Sequence, residues 1–93
     1  MIKVVRLSKK AQRNLLQVPN YIKNNVLLWI QSIEELGLEE VRKIPGFHDE
    51  PLKGNRLGQR SIRLNRSYRA IYIVQSNGDV ELVEVIEVNK HAY

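Results

Sequence analysis

Ninety-three residues, 43% of them hydrophobic and 27% charged, fit one small globular domain and leave no room for a second domain or a large cofactor cradle. The lack of cysteine removes disulfides, thiolate nucleophiles and Cys-based zinc sites, and two histidines, His48 and His91, are too few for a typical metal centre, so no metal or other cofactor is expected. No apolar run approaches the ~20 residues of a membrane span, and the opening residues carry no secretory signal pattern. A cytoplasmic protein without membrane contact is therefore expected.

The formal net charge of +5 is unevenly spread. Residues 1–33 hold Lys3, Arg6, Lys9, Lys10, Arg13 and Lys23 and no acid. Residues 51–78 hold Lys53, Arg56, Arg60, Arg63, Arg66 and Arg69, again with no acid. The acids fall within residues 34–50 and 79–87. Such segregation suits a polyanion partner, RNA or DNA, with Lys53, Arg56, Arg60, Arg63, Arg66, Arg69 and Lys90 as the candidate binding surface. The competing reading is that neighbouring segments neutralise one another once folded.

In chain order, residues 2–7 are β-branched with a period-2 component and predict a first strand. Ser8 is a candidate N-cap for a short helix reaching Gln17, with Ala11, Leu15 and Val18 on one face. Pro19-Asn20 breaks that helix. Ile22, Val26, Trp29, Ile30 and Ile33 then recur at helical spacing, predicting a long amphipathic helix that stops at Gly37, with one further turn over residues 38–43. Pro45-Gly46, Pro51, Gly54 and Gly58 mark residues 44–58 as mostly loop. From Arg60 the period becomes 2. Residues 60–64, 68–75 and 80–88 read as strands joined by turns at residues 65–67 and at Asn77-Gly78, a hairpin signal. The order β-α-α-β-β-β describes an α+β domain with two helices on one face of a small, mainly antiparallel sheet.

With a three-residue loop at 65–67, Arg63 lies directly opposite Arg69 on one sheet face. With a two-residue turn at Asn77-Gly78, Arg69 faces Ile86 and Glu84 faces Ile71. Two opposed arginines repel unless an anion sits between them, and guanidinium forks match the oxygens of a phosphate. The alternative is neutralisation by Glu84, a diagonal neighbour in this register. Tyr68 and Tyr72 fall on the other face and are assigned to packing, as is Trp29. His48 reads as structural or exposed.

The run Glu50-Pro51-Leu52-Lys53-Gly54, then Arg63, then Arg69-Ala70-Ile71-Tyr72, and finally Asn89-Lys90-His91-Ala92-Tyr93, resembles the RelE superfamily, in particular the RelE, YoeB and HigB-type mRNA interferases. The resemblance spans nearly the whole chain. It implies a curved sheet with an RNA-binding concavity, and metal-independent cleavage of mRNA on the ribosome by attack of a 2′-hydroxyl on the adjacent phosphate. It assigns Glu50 as base, Lys53 as a charge-stabilising cation, Arg63 and Arg69 as phosphate ligands, His91 as general acid and Tyr93 as the residue orienting a base. The ending Lys-His-Ala-Tyr departs from the Tyr-His-Tyr of YoeB-like chains, which leaves open how base and acid are shared among Glu50, Lys53 and His91. The implied partners are a cognate antitoxin, mRNA and ribosomal RNA, with operator DNA reached only through the antitoxin. A ParE-like gyrase inhibitor and a non-catalytic RNA-binding module are the alternatives.

Overall fold

In the computed structural model, which describes residues 1–90, Val5–Leu7 forms strand β1. Val5 and Leu7 pack toward the core, and Arg6 points away to meet Glu84. Ser8 ends the strand and caps helix α1 (Lys9–Leu15), its Oγ accepting from the Ala11 amide at 3.0 Å, as expected of an N-cap serine. Helix α2 (Asn20–Leu36) buries Ile22, Val26, Trp29 and Ile33, which share one face at spacings of three and four residues. Each such side chain removed from water contributes about 1.5–3 kcal/mol, so this stripe anchors the helix. Gly37 stops α2 at φ 86°, and a Cβ there would sit 2.6 Å from the Met1 side chain. The positive φ requires glycine, whereas the exposed Met1 side chain could move aside. The expected extra turn is helix α3 (Leu38–Arg42). No helix among the described residues is long and apolar enough to cross a membrane.

Four further strands, β2 (Glu50–Pro51), β3 (Arg60–Arg63), β4 (Tyr68–Asn77) and β5 (Val80–Lys90), join β1 in one sheet ordered β1-β5-β4-β3-β2. β1 is parallel to β5, and the other pairs are antiparallel. Buried side chains of all three helices meet Ile62, Ala70, Tyr72, Val83, Val85 and Val88 in a single core, which places the helices together on one face. The α+β class is as expected, with a third short helix added. Residues 44–58 are more ordered than their Pro and Gly content suggests. They contain 3-10 turns at Pro45–Phe47 and Gly54–Arg56 as well as β2.

The β3–β4 register is the expected one: Arg63 pairs with Arg69 across a loop in which Asn65 Oδ1 accepts from the Ser67 and Tyr68 amides at 2.7 and 2.8 Å. The β4–β5 register differs from expectation for two reasons. Asn77 pairs with Val80, so the hairpin loop is Gly78-Asp79, with Gly78 at φ 66° in its first position. A bulge then intervenes: Tyr72 pairs with Val85 but Ile71 with Glu87, leaving Ile86 as the extra residue. Arg69 therefore faces Asn89 rather than Ile86, and Glu84 faces Ile73 rather than Ile71. The bulge also returns Val88 to the core and turns Glu87 and Asn89 to the outer face.

A buried carboxylate ties down the chain ahead of β2. Asp49, with a side chain 1% exposed, accepts from Arg60 Nε and from the Tyr72 hydroxyl, each at 2.6 Å. Arg42 of α3 donates to the Tyr72 oxygen at 3.2 Å. Burial, together with the bond to Asp49, pushes the Tyr72 hydroxyl up to about 12, against the pull of Arg42. Burial alone would lower Arg60, but the Asp49 carboxylate outweighs it and raises the guanidinium. Asp49→Ala is expected to cost about 2–4 kcal/mol, because it leaves Arg60 without its ion pair and the Tyr72 hydroxyl without its acceptor, whereas Tyr72→Phe removes the hydroxyl's bonds to Asp49 and Arg42 but keeps the Asp49–Arg60 pair, for about 1–2 kcal/mol. Urea unfolding of the two variants checks this, and an Asp49→Ala protein as stable as Tyr72→Phe contradicts it.

Candidate active site

The outer sheet face carries two rows of side chains. Glu50, Ser61, Ile71 and Glu87 face one another across β2, β3, β4 and β5 in the first row. Arg63, Arg69 and Asn89 form the second, two residues further along each strand. Opposed residues sit roughly 5 Å apart and the rows roughly 7 Å apart. Glu50 is thus a diagonal neighbour of Arg63. A groove at this end of the sheet is lined by His48, Glu50, Ser61, Arg63, Asn65, Arg66 and Arg69.

The electrostatics of the groove follow from which charges are already spent. Arg63 and Glu50 are exposed and have no side-chain partner among the described residues. Arg69 is half-buried and uses Nε to bond Asn89 Oδ1 at 3.3 Å. Glu84, the residue expected to neutralise the pair, is instead engaged by Arg6 Nε at 3.0 Å and Gln75 Nε2 at 2.7 Å. The nearer acid is Glu87, which accepts from Lys10 and Arg56, both at 3.0 Å, and from Asn89. Burial works against its ionisation. The hydrogen bonds from Lys10, Arg56 and Asn89 and the charge of Arg56 outweigh it, bringing Glu87 down to about 2. Glu87 is therefore expected to contribute stability that is complete above its ordinary value of 4.5 and is lost as pH falls through about 2. Melting of wild type and Glu87→Gln from pH 7 to pH 2 tests this: the gap should close on acidification, and a constant gap contradicts it.

Among the residues singled out from sequence, the fold brings Glu50, Arg63, Arg66 and Arg69 together in this groove. Lys53 opens the Gly54–Arg56 turn outside the groove lining, exposed and with no side-chain partner among the described residues. Arg56 reaches Glu87 and Gln59. Arg60 pairs with Tyr72 in register and points to the helix side, where Asp49 holds it, so it does not join the groove. Lys90 is exposed at the end of β5, opposite Tyr68. His91 and Tyr93 lie outside the described residues. Tyr72 and Trp29 pack as expected, both fully buried with ring centroids 5.2 Å apart. His48, read as structural or exposed, is exposed and lines the groove. It takes a left-handed backbone (φ 47°) after the Pro45–Phe47 turn, and that turn was the signal available in the sequence. Asn89, beside Arg69, opens the C-terminal run quoted from the sequence, but that run gave it no role.

No family model matches the sequence, and no curated protein sequence does. Among solved structures, the chain is similar to YafQ from Escherichia coli, with a TM-score of 0.72 and 13% identity over 94% of this chain and 91% of that one. It is similar to a chain of the YoeB–YefM complex from Staphylococcus aureus, at 0.68 and 22% over 96% and 95%. It is also similar to a chain of the toxin–antitoxin complex RelBE2 from Mycobacterium tuberculosis, at 0.66 and 21% over 98% and 100%. The likeness is one of fold: the chain shares its α+β architecture with these solved structures.

Proposed function

We propose that this chain is the toxin of a type II toxin–antitoxin pair, a ribosome-dependent endoribonuclease that cuts mRNA. One observation carries the reading: Arg63 and Arg69 stand side by side on the outer face with no acid between them, and the Glu50 carboxylate lies one row away in the same groove. A phosphate bridging the two guanidiniums relieves their repulsion. Glu50 then takes the proton of the 2′-hydroxyl, whose oxygen attacks the adjacent phosphorus. Arg63 and Arg69 neutralise the charge gathering on the phosphorane oxygens. His91 gives a proton to the departing 5′-oxygen, and Tyr93 orients a base. The products are a 2′,3′-cyclic phosphate and a 5′-hydroxyl end, and no step requires a metal ion.

The RelBE2 and YoeB–YefM structures are complexes, which supports a cognate antitoxin for this chain as well. An acidic antitoxin segment over Arg63 and Arg69 would block the groove directly, and the pair would reach operator DNA through the antitoxin. Purified protein added to translating ribosomes separates the readings. Cut mRNA supports the nuclease, gyrase-dependent DNA breaks with intact mRNA support a ParE-like toxin, and ribosome or RNA binding without cleavage supports a non-catalytic module.

A further inference from the structure

We infer that Asn89 is a positioning residue for Arg69: it holds the guanidinium by Nε so that both terminal nitrogens stay free for a phosphate in the groove. The inference rests on reading the groove as a phosphate site. Arg69 reaches it from the middle of the sheet, and its side chain needs a fixed direction to offer a two-pronged contact. Asn89 Oδ1 accepts from Arg69 Nε at 3.3 Å, the one guanidinium nitrogen not on the fork.

Asn89 is itself held. Its Nδ2 donates to Glu87. An ionised carboxylate only accepts, so the amide must turn its nitrogen to Glu87 and its oxygen to Arg69. Lys10 and Arg56 reach Glu87 from two different segments, each at 3.0 Å, and keep that charge occupied. The Ile86 bulge makes the arrangement possible, because an unbroken β5 would turn Glu87 and Asn89 away from the face of Arg69. A neutral amide beside Arg69 orients it without competing for it. A carboxylate in the same place would pair with the guanidinium and displace the phosphate.

The test compares Asn89→Ala and Asn89→Asp with wild type in two measurements. In 15N-labelled protein, the Arg69 Nε–H signal is identified by its loss in Arg69→Lys. It should be protected from solvent exchange in wild type and lose that protection in Asn89→Ala. Single-turnover cleavage of ribosome-bound mRNA should fall about tenfold in Asn89→Ala, from lost orientation, and about a hundredfold in Asn89→Asp, from the added carboxylate. A purely structural Asn89 predicts equal losses in the two variants. An Arg69 Nε–H signal unchanged in Asn89→Ala overturns the inference, as does cleavage by Asn89→Asp at the wild-type rate. Wild-type protein that leaves mRNA intact overturns the nuclease reading instead, and the Nε–H comparison then decides the inference by itself.

Discussion

Arg69→Ala is expected to slow single-turnover cleavage of ribosome-bound mRNA by about 10²–10³-fold with little change in thermal stability. Arg69 sits on β4 between β3 and β5, so neighbours on both sides fix the direction of its side chain. A donor held in place before the reaction stabilises the phosphorane without reorganising, and loss of one such donor costs about 3–4 kcal/mol of barrier. Arg69→Lys should restore only part of the rate, because a point charge lacks the fork. Stability should hold, because Arg69 makes a single side-chain bond and carries no ion pair among the described residues. Glu84 holds Arg6, so Glu84→Gln should leave cleavage unchanged. An Arg69→Ala protein that melts lower yet cleaves normally would make Arg69 a packing residue.

His91→Ala is expected to lower the cleavage rate by about 10²–10⁴-fold while ribosome binding holds. An imidazole titrates near neutral pH, so it can protonate the 5′-oxygen as the P–O bond breaks. His48, far from His91 in sequence, lines the groove, which makes His48→Ala the natural companion. The alkaline limb of the pH–rate profile should vanish with His91 and persist without His48. The reverse pattern would move the acid's role to His48.

The sheet positions of the site were legible in the sequence wherever the contacts that set them stay local. The Asn65 loop sets the β3–β4 register through its own side chain, so the loop length alone places Arg63 opposite Arg69. One hairpin further, the same reasoning fails. Gly78 occupies the first loop position rather than the second, and Ile86 adds a residue to β5. The trace of that bulge is the shift from Val83 and Val85 to Val88 in the buried pattern. Together these two departures made Glu84 the neighbour of Arg69, where the fold places Asn89 with Glu87 behind it. Asp49 illustrates a second limit. Nothing in a Pro- and Gly-rich loop marks one carboxylate for burial, and the burial of Asp49 depends on Arg60 and Tyr72, which are distant in sequence. A two-residue strand such as β2 carries no period to detect, so Glu50 could be placed on the outer face only through its partner Ser61.

The most direct test of the nuclease mechanism is the chemistry of the cut ends. mRNA bound to ribosomes is treated with wild-type protein and with Arg63→Ala/Arg69→Ala, and the fragments are analysed for terminal phosphate. Wild type should leave a 2′,3′-cyclic phosphate and a 5′-hydroxyl in the presence of a chelator, with ribosomes kept intact by polyamines, and the double variant should leave the mRNA whole. Uncut mRNA with the wild-type protein, or ends bearing a 5′-phosphate, would contradict the account.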